Sequence, residues 1–77
     1  MNAEQRKKLD EIQSKLSTAQ EELAAMSDEE QEKFDNMTEG LQQSERGQAI
    51  EQAASELSDA ASNVQSAIDN ISTAMGG

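Results

Sequence analysis

The stretch Phe34 to Gln48, FDNMTEGLQQSERGQ, gathers the only aromatic residue of the chain, an isolated arginine and two of its four glycines. Ser44 is a good N-cap for a helix beginning at residue 45. The backbone N–H groups of residues 45–47 would then point outward with the positive end of the helix dipole, beside Arg46, which is an anion-binding geometry. Gly47 would let a ligand or another backbone come close. Asn36, Gln42 and Gln43 add donors and acceptors able to read a base or a peptide edge, and Phe34 offers a stacking face. Arg6 and Lys7 of a neighbouring copy are candidates to complete such a site. The same residues also have an architectural explanation: Phe34 fills the end of a helical hairpin, Arg46 pairs with Asp35 or Glu45, and Gly40 and Ser44 turn and cap the chain.

Other chemistries find little support. The 77 residues contain no Cys and no His, which removes disulfides, thiolate or imidazole metal sites, and catalysis by either side chain. The carboxylate pairs Glu21/Glu22 and Glu29/Glu30 lack the Glu-x-x-His partner of di-iron bundles. Ser44 has no base to activate its hydroxyl, and the isolated Gly40 and Gly47 do not make a phosphate loop. The expectation is a non-enzymatic protein with no cofactor and no metal.

The elements that must position the join are helical. Leu9, Ile12, Leu16, Ala19, Leu23 and Met26 recur at spacings of 3, 4, 3, 4 and 3, which predicts a first amphipathic helix over about 3–25. Arg6, Lys7 and Lys8 lie in its first turns, unfavourably for the helix dipole, where they serve a partner or pair with Glu4, Asp10 or Glu11. Ser27 followed by Glu30 reads as a capping box opening a short second helix over about 28–37, with Phe34 and Met37 on its apolar face. A join over 38–44 follows, turning at Gly40 with Leu41 folded inward as an anchor. The last helix, about 45–75, is the most regular segment. Ile50, Leu57, Val64 and Ile71 lie seven apart, and Ala53, Ala60, Ala67 and Ala74 follow each by three. Adjacent positions hold Ala54, Ala61, Ile68 and Met75, while Ser55, Ser58, Ser62 and Ser66 keep another face slim.

A single helical domain over 1–77 results, folded as a hairpin of long, short and long helices. With 34% hydrophobic residues and one aromatic, its own core is thin. Disulfides and metals being absent, association of copies is the remaining route to stability, and Ile50, Ala53, Leu57, Ala60, Val64, Ala67 and Ile71 are the expected interface of a homo-oligomeric bundle. The net charge of −10 is uneven: residues 1–26 carry four basic and five acidic side chains, residues 27–46 two and seven, and residues 47–77 none and four. Such a balance argues against direct nucleic-acid binding and leaves a basic protein partner open, approached as an inhibitor or a DNA mimic. No secretory signal or membrane-spanning apolar run is present, and the expected location is the cytoplasm.

The run DEEQEKFDNMTEGLQQSERGQAIEQAASELSDA, residues 28 to about 60, resembles a group of short, acidic, phage- and prophage-encoded proteins. In that group a segment Phe-Asp-Asn-Met-Pro-x-x-Leu-Gln-x-Ser-x-Arg joins two helices; Thr38 stands here in place of the proline. The resemblance implies a phage origin, a host-cell cytoplasmic location and a join that is more than a plain turn. At the level of class, small oligomeric phage proteins without catalytic equipment are similar to sponges that sequester the nucleotide signals of cyclic-nucleotide or Thoeris-type defence. In a sponge of that kind Phe34, Asn36, Arg46 and the start of the last helix would line a ligand site between subunits. The alternatives are an acidic inhibitor of a basic host protein and a purely structural oligomerisation module.

Overall fold

The computed structural model describes residues 1–76. It contains α1 (Ala3–Asp35), the one-turn α2 (Glu39–Gln42) and α3 (Glu45–Ala74), with no strand among the described residues. The all-α hairpin expected from the periodicities is therefore present. Its Cα extents are 58 × 15 × 15 Å, a rod two helices wide.

Asn2 starts α1 with a capping box: its side chain accepts from the Gln5 amide at 2.8 Å, and the Gln5 side chain accepts from the Asn2 amide at 3.1 Å. From there α1 runs unbroken for 33 residues, past the helix start expected at Ser27. The separate helix over 28–37 is absent, and Phe34 belongs to the last turn of α1. Two physical reasons account for the difference. No glycine or proline lies between residues 3 and 35, so Ala, Leu, Gln, Glu and Lys carry the helix through. The Ser27 hydroxyl, moreover, turns away from its own chain and donates to the Ala54 carbonyl of α3 at 2.7 Å. A serine that could cap locally is used instead as a cross-link between helices.

α3 begins at the Ser44 cap and ends with Gly76 at φ 81°, the left-handed position at which a glycine commonly closes a helix. The two long helices pack antiparallel in a fixed register. Ser27 meets Ala54, while Gln13 Nε2 donates to the Ile68 carbonyl at 3.0 Å and to Ser72 Oγ at 2.8 Å. Both pairings, 27 with 54 and 13 with 68, have the same index sum, so opposing residues add up to about 81 along the whole rod.

Small side chains make the closest approach. Ala54 and Ala61, 2% and 8% exposed, are the buried apolar residues, and Ser27 is the buried polar one at 9%. No large apolar side chain is fully buried. Leu9, Ile12, Leu16, Leu23 and Phe34 of α1, and Ile50, Leu57, Val64 and Ile71 of α3, are all half-covered. At about 100° per residue, Ile12, Leu16, Ala19, Leu23 and Met26 occupy one sector of α1 and face the same side of the rod as Leu57, Ala60, Val64 and Ala67. The other side is more polar: shallow grooves there are lined by Gln13, Ser14, Ser17, Gln20 and Asp28 of α1 with Ser58, Ser62, Gln65 and Ser72 of α3, over a floor that includes Ala24, Ala61 and Ile68. The slim serine positions Ser58 and Ser62 thus flank α1 within the chain.

The buried cross-link has a measurable value. Ser27→Ala removes one interhelical hydrogen bond at nearly constant volume and is expected to cost about 1 kcal/mol. For a domain of this size the thermal midpoint should fall by about 4–8 °C, followed by circular dichroism.

Candidate functional site at the join

The end of the hairpin is built by a chain of caps. Asn36 closes α1, its amide donating to the Glu32 carbonyl at 3.0 Å, and Met37 N–H donates to the Phe34 carbonyl at 3.0 Å. Thr38 then caps α2, its hydroxyl accepting from the Leu41 amide at 3.4 Å. Thr38 is therefore used as a side-chain cap. Gln42 Nε2 reaches back to the Phe34 carbonyl at 3.0 Å, and Gln48 Nε2 donates to the Gln42 carbonyl at 2.9 Å. Ser44 Oγ accepts from the Gly47 amide at 3.1 Å and donates to the Leu41 carbonyl.

This network corrects two expectations. Gly40 does not break the helix: it sits inside α2 with nothing near the position of an added side chain, and the turns lie on either side of it, at Asn36–Met37 and Gln43–Ser44. Leu41 does not anchor the join, being 54% exposed. The surface that α2 offers to α3 is its backbone. A Cβ on Gly47 would collide with the Leu41 carbonyl oxygen and lie 2.7 Å from the Gln42 oxygen and 2.9 Å from the Gln42 carbonyl carbon. Gly47 is therefore occupied by another backbone, the second of the two uses that its residue type suggested.

Of the candidate ligand residues, the fold gathers Phe34, Asn36, Gln42, Gln43, Ser44, Arg46 and Gly47 at one tip. Gln42, Ser44 and Gly47 spend their polar groups on the join itself. Arg46 is exposed and has no ion pair among the described residues, so the pairing with Asp35 or Glu45 is not made; Asp35 accepts from Gln31 instead. The side chains of Asn36 and Gln43 and the amides of Glu45 and Arg46 also have no hydrogen-bond partner among the described residues. Phe34 is half-buried. Arg6 and Lys7 lie at the opposite tip of the 58 Å rod, the Arg6 guanidinium beside Gly76, and cannot reach the join of their own chain.

Charge separates along the rod as well. Residues 19–62, the half that contains the join, carry two basic and twelve acidic side chains, whereas residues 1–18 and 63–76 carry four of each. The whole formal charge of −10 therefore resides in the join half. Lys33 with Glu30, at 2.7 Å, is the only ion pair among the described residues, so Arg6, Lys7 and Lys8 are not neutralised by Glu4, Asp10 or Glu11. No group of three potential metal-ligating side chains occurs among the described residues, and no described helix is long and apolar enough to cross a membrane.

Sequence reasoning missed Gln13 and Ser27 as interhelical contacts. Their signal was periodic: Gln13, Gln20 and Ser27 lie seven apart beside the Leu/Ile stripe, as Ala54, Ala61 and Ile68 do on α3. Comparison of the chain with protein-family models, curated proteins and solved structures finds no match.

Proposed function

We propose that this chain is a non-enzymatic accessory protein of phage type that works as a homo-oligomer of hairpins. One observation carries the proposal: among its described residues a single copy buries only Ala54 and Ala61 as apolar core and leaves its large apolar side chains half-covered or exposed. Its accessible surface is 5529 Å², whereas a compact monomer of its mass exposes about 4,600 Å². The difference, about 900 Å² per chain, is the size of one partner's share of an ordinary protein interface. Native mass spectrometry of protein purified from cells is the test, because it reports subunit count and any co-purified ligand together. A monomer at micromolar concentration would defeat the proposal.

A nucleotide ligand at the join is favoured by a second observation, the unpaired Arg46 beside the free amides of Glu45 and Arg46 at the start of α3. In that case the protein is a sponge for an anionic immune signal. Arg46→Ala is then expected to weaken binding about ten- to hundred-fold with helicity intact, the usual size of one lost charge-assisted contact. Calorimetry with cyclic di- and trinucleotides and cyclic ADP-ribose isomers decides it. If wild type binds none of them, or if the variant binds equally well, the acidic join half points to a basic protein partner instead.

A further inference from the structure

Resting on the proposed self-association, we infer that two copies pair antiparallel, apolar face to apolar face, with the join half of each lying along the neutral half of the other. The occupant of the apolar face is a second copy because the surplus surface of about 900 Å² per chain matches what a stable dimer removes from water. The face also has a midpoint fit for close approach, since the small Ala19 of α1 lies level with the middle of α3, near Ala60.

Charge selects the orientation. In a parallel pair the two join halves, each with a net charge of −10, would lie side by side over about 25 Å. In an antiparallel pair each meets a half carrying four basic and four acidic side chains. The arrangement of the cations sharpens the choice. Lys8 and Lys15, seven apart, border the apolar sector of α1, and neither has an ion pair among the described residues. On the acidic half the same sector is bordered by Glu22 of α1 and by Glu56 of α3. A two-fold axis through the level of Ala19 carries residue x of α1 to the level of residue 38 − x, or 43 + x on α3. Lys15 of one copy then comes level with residues 23 and 58 of the other, beside Glu22 and Glu56. Lys8 comes level with Glu30, which pairs with Lys33 in its own chain. The same axis brings Met1–Lys7 of one copy level with Phe34, Asn36 and Arg46 of the other, so the tip that holds Arg6 and Lys7 lies beside the neighbour's join.

The chain has no cysteine, so a single Glu4→Cys variant can carry one spin label per copy at an exposed site. The expected label-to-label distance by pulsed electron paramagnetic resonance is about 45 Å for the antiparallel pair, fifteen residues on either side of the axis at 1.5 Å each. A parallel pair would place the labels at one tip, within about 25 Å. Sedimentation equilibrium on the same sample separates the two levels of failure. A monomer defeats self-association itself, while a dimer with the short distance, or a subunit count other than two, leaves self-association standing and overturns the antiparallel arrangement. As an independent check, Lys8→Glu with Lys15→Glu is expected to weaken dimerisation at least about ten-fold at low salt. Mixing that variant with Glu22→Lys/Glu56→Lys should restore pairing as a heterodimer. Unchanged self-affinity of the Lys8/Lys15 variant, or no recovery on mixing, would overturn the assignment.

Discussion

Alanine at Gly47 is expected to unfasten the join, while alanine at Gly40, seven residues earlier, should leave the protein equally or more stable. At Gly47 the added methyl group would lie within 3 Å of the Leu41 and Gln42 carbonyls, which are backbone and cannot rotate aside. The chain must either move α2 off α3 or shift the first turn of α3, breaking the Ser44 cap and the Gln48–Gln42 contact that hold them together. Overpacking against backbone, combined with the lost cap, gives an expected cost of about 2–4 kcal/mol, a large part of the stability of so small a domain. At Gly40 there is open space and helical backbone, so alanine should add up to about 1 kcal/mol by restricting the unfolded chain. Chemical denaturation of the two variants side by side is the check. Equal effects at both positions would remove the account of α2 as a backbone wedge.

Leu57→Asp or Val64→Asp is expected to dissociate the protein and largely unfold it. In an isolated hairpin these residues are half-covered, and a carboxylate could turn toward water at modest cost. In an assembly that covers the apolar face, the same carboxylate is removed from water, which costs several kcal/mol in each subunit; Val64 is the cleaner site, because Lys15 of a second copy comes level with residue 58, next to Leu57. Since the hairpin by itself has only Ala54 and Ala61 as apolar core, losing the assembly takes most of the fold with it. Helicity measured across a concentration series distinguishes the cases: the variants should lose helical signal at concentrations where wild type retains it. A variant that is monomeric and fully helical would show that the hairpin is stable alone.

How far the sequence announced this structure depended on the range of the cause. The α3 heptads and the Leu/Ile stripe of α1 are repeated over many turns, and α3 was expected at 45–75 against Glu45–Ala74 in the structure. The cap at Ser44 was also legible, being a local contact to a residue three positions on. Ser27 was misread because its local pattern fits a capping box, yet its partner is a carbonyl 27 residues away. Leu41 was misread because apolar character was taken to decide which way a residue faces; in a single turn of helix wedged by its backbone against Gly47, the side chain is left on the outside. The candidate site was half legible. The sequence suggested a ligand or a backbone at Gly47, and only the packing of α2 against α3 separates those uses. Arg6 and Lys7 could not be placed at all until the antiparallel hairpin set them at the far tip.

The heptad repeat that makes α3 cohesive also makes it ambiguous. Slid along α1 by seven residues, it would offer Ala61 where Ala54 stands and Val64 where Leu57 stands, and an apolar stripe could hardly tell the two alignments apart. The join removes this degeneracy. Its caps and its backbone wedge at Gly47 fix how many residues pass between the helices, so it works as a ruler, and Gln13 and Ser27 read the alignment it sets at two points fourteen residues apart. A join loosened at Gly47 would therefore leave helices that still cohere but in more than one alignment. Its signature would be retained helical content with a broadened, weakly cooperative unfolding transition.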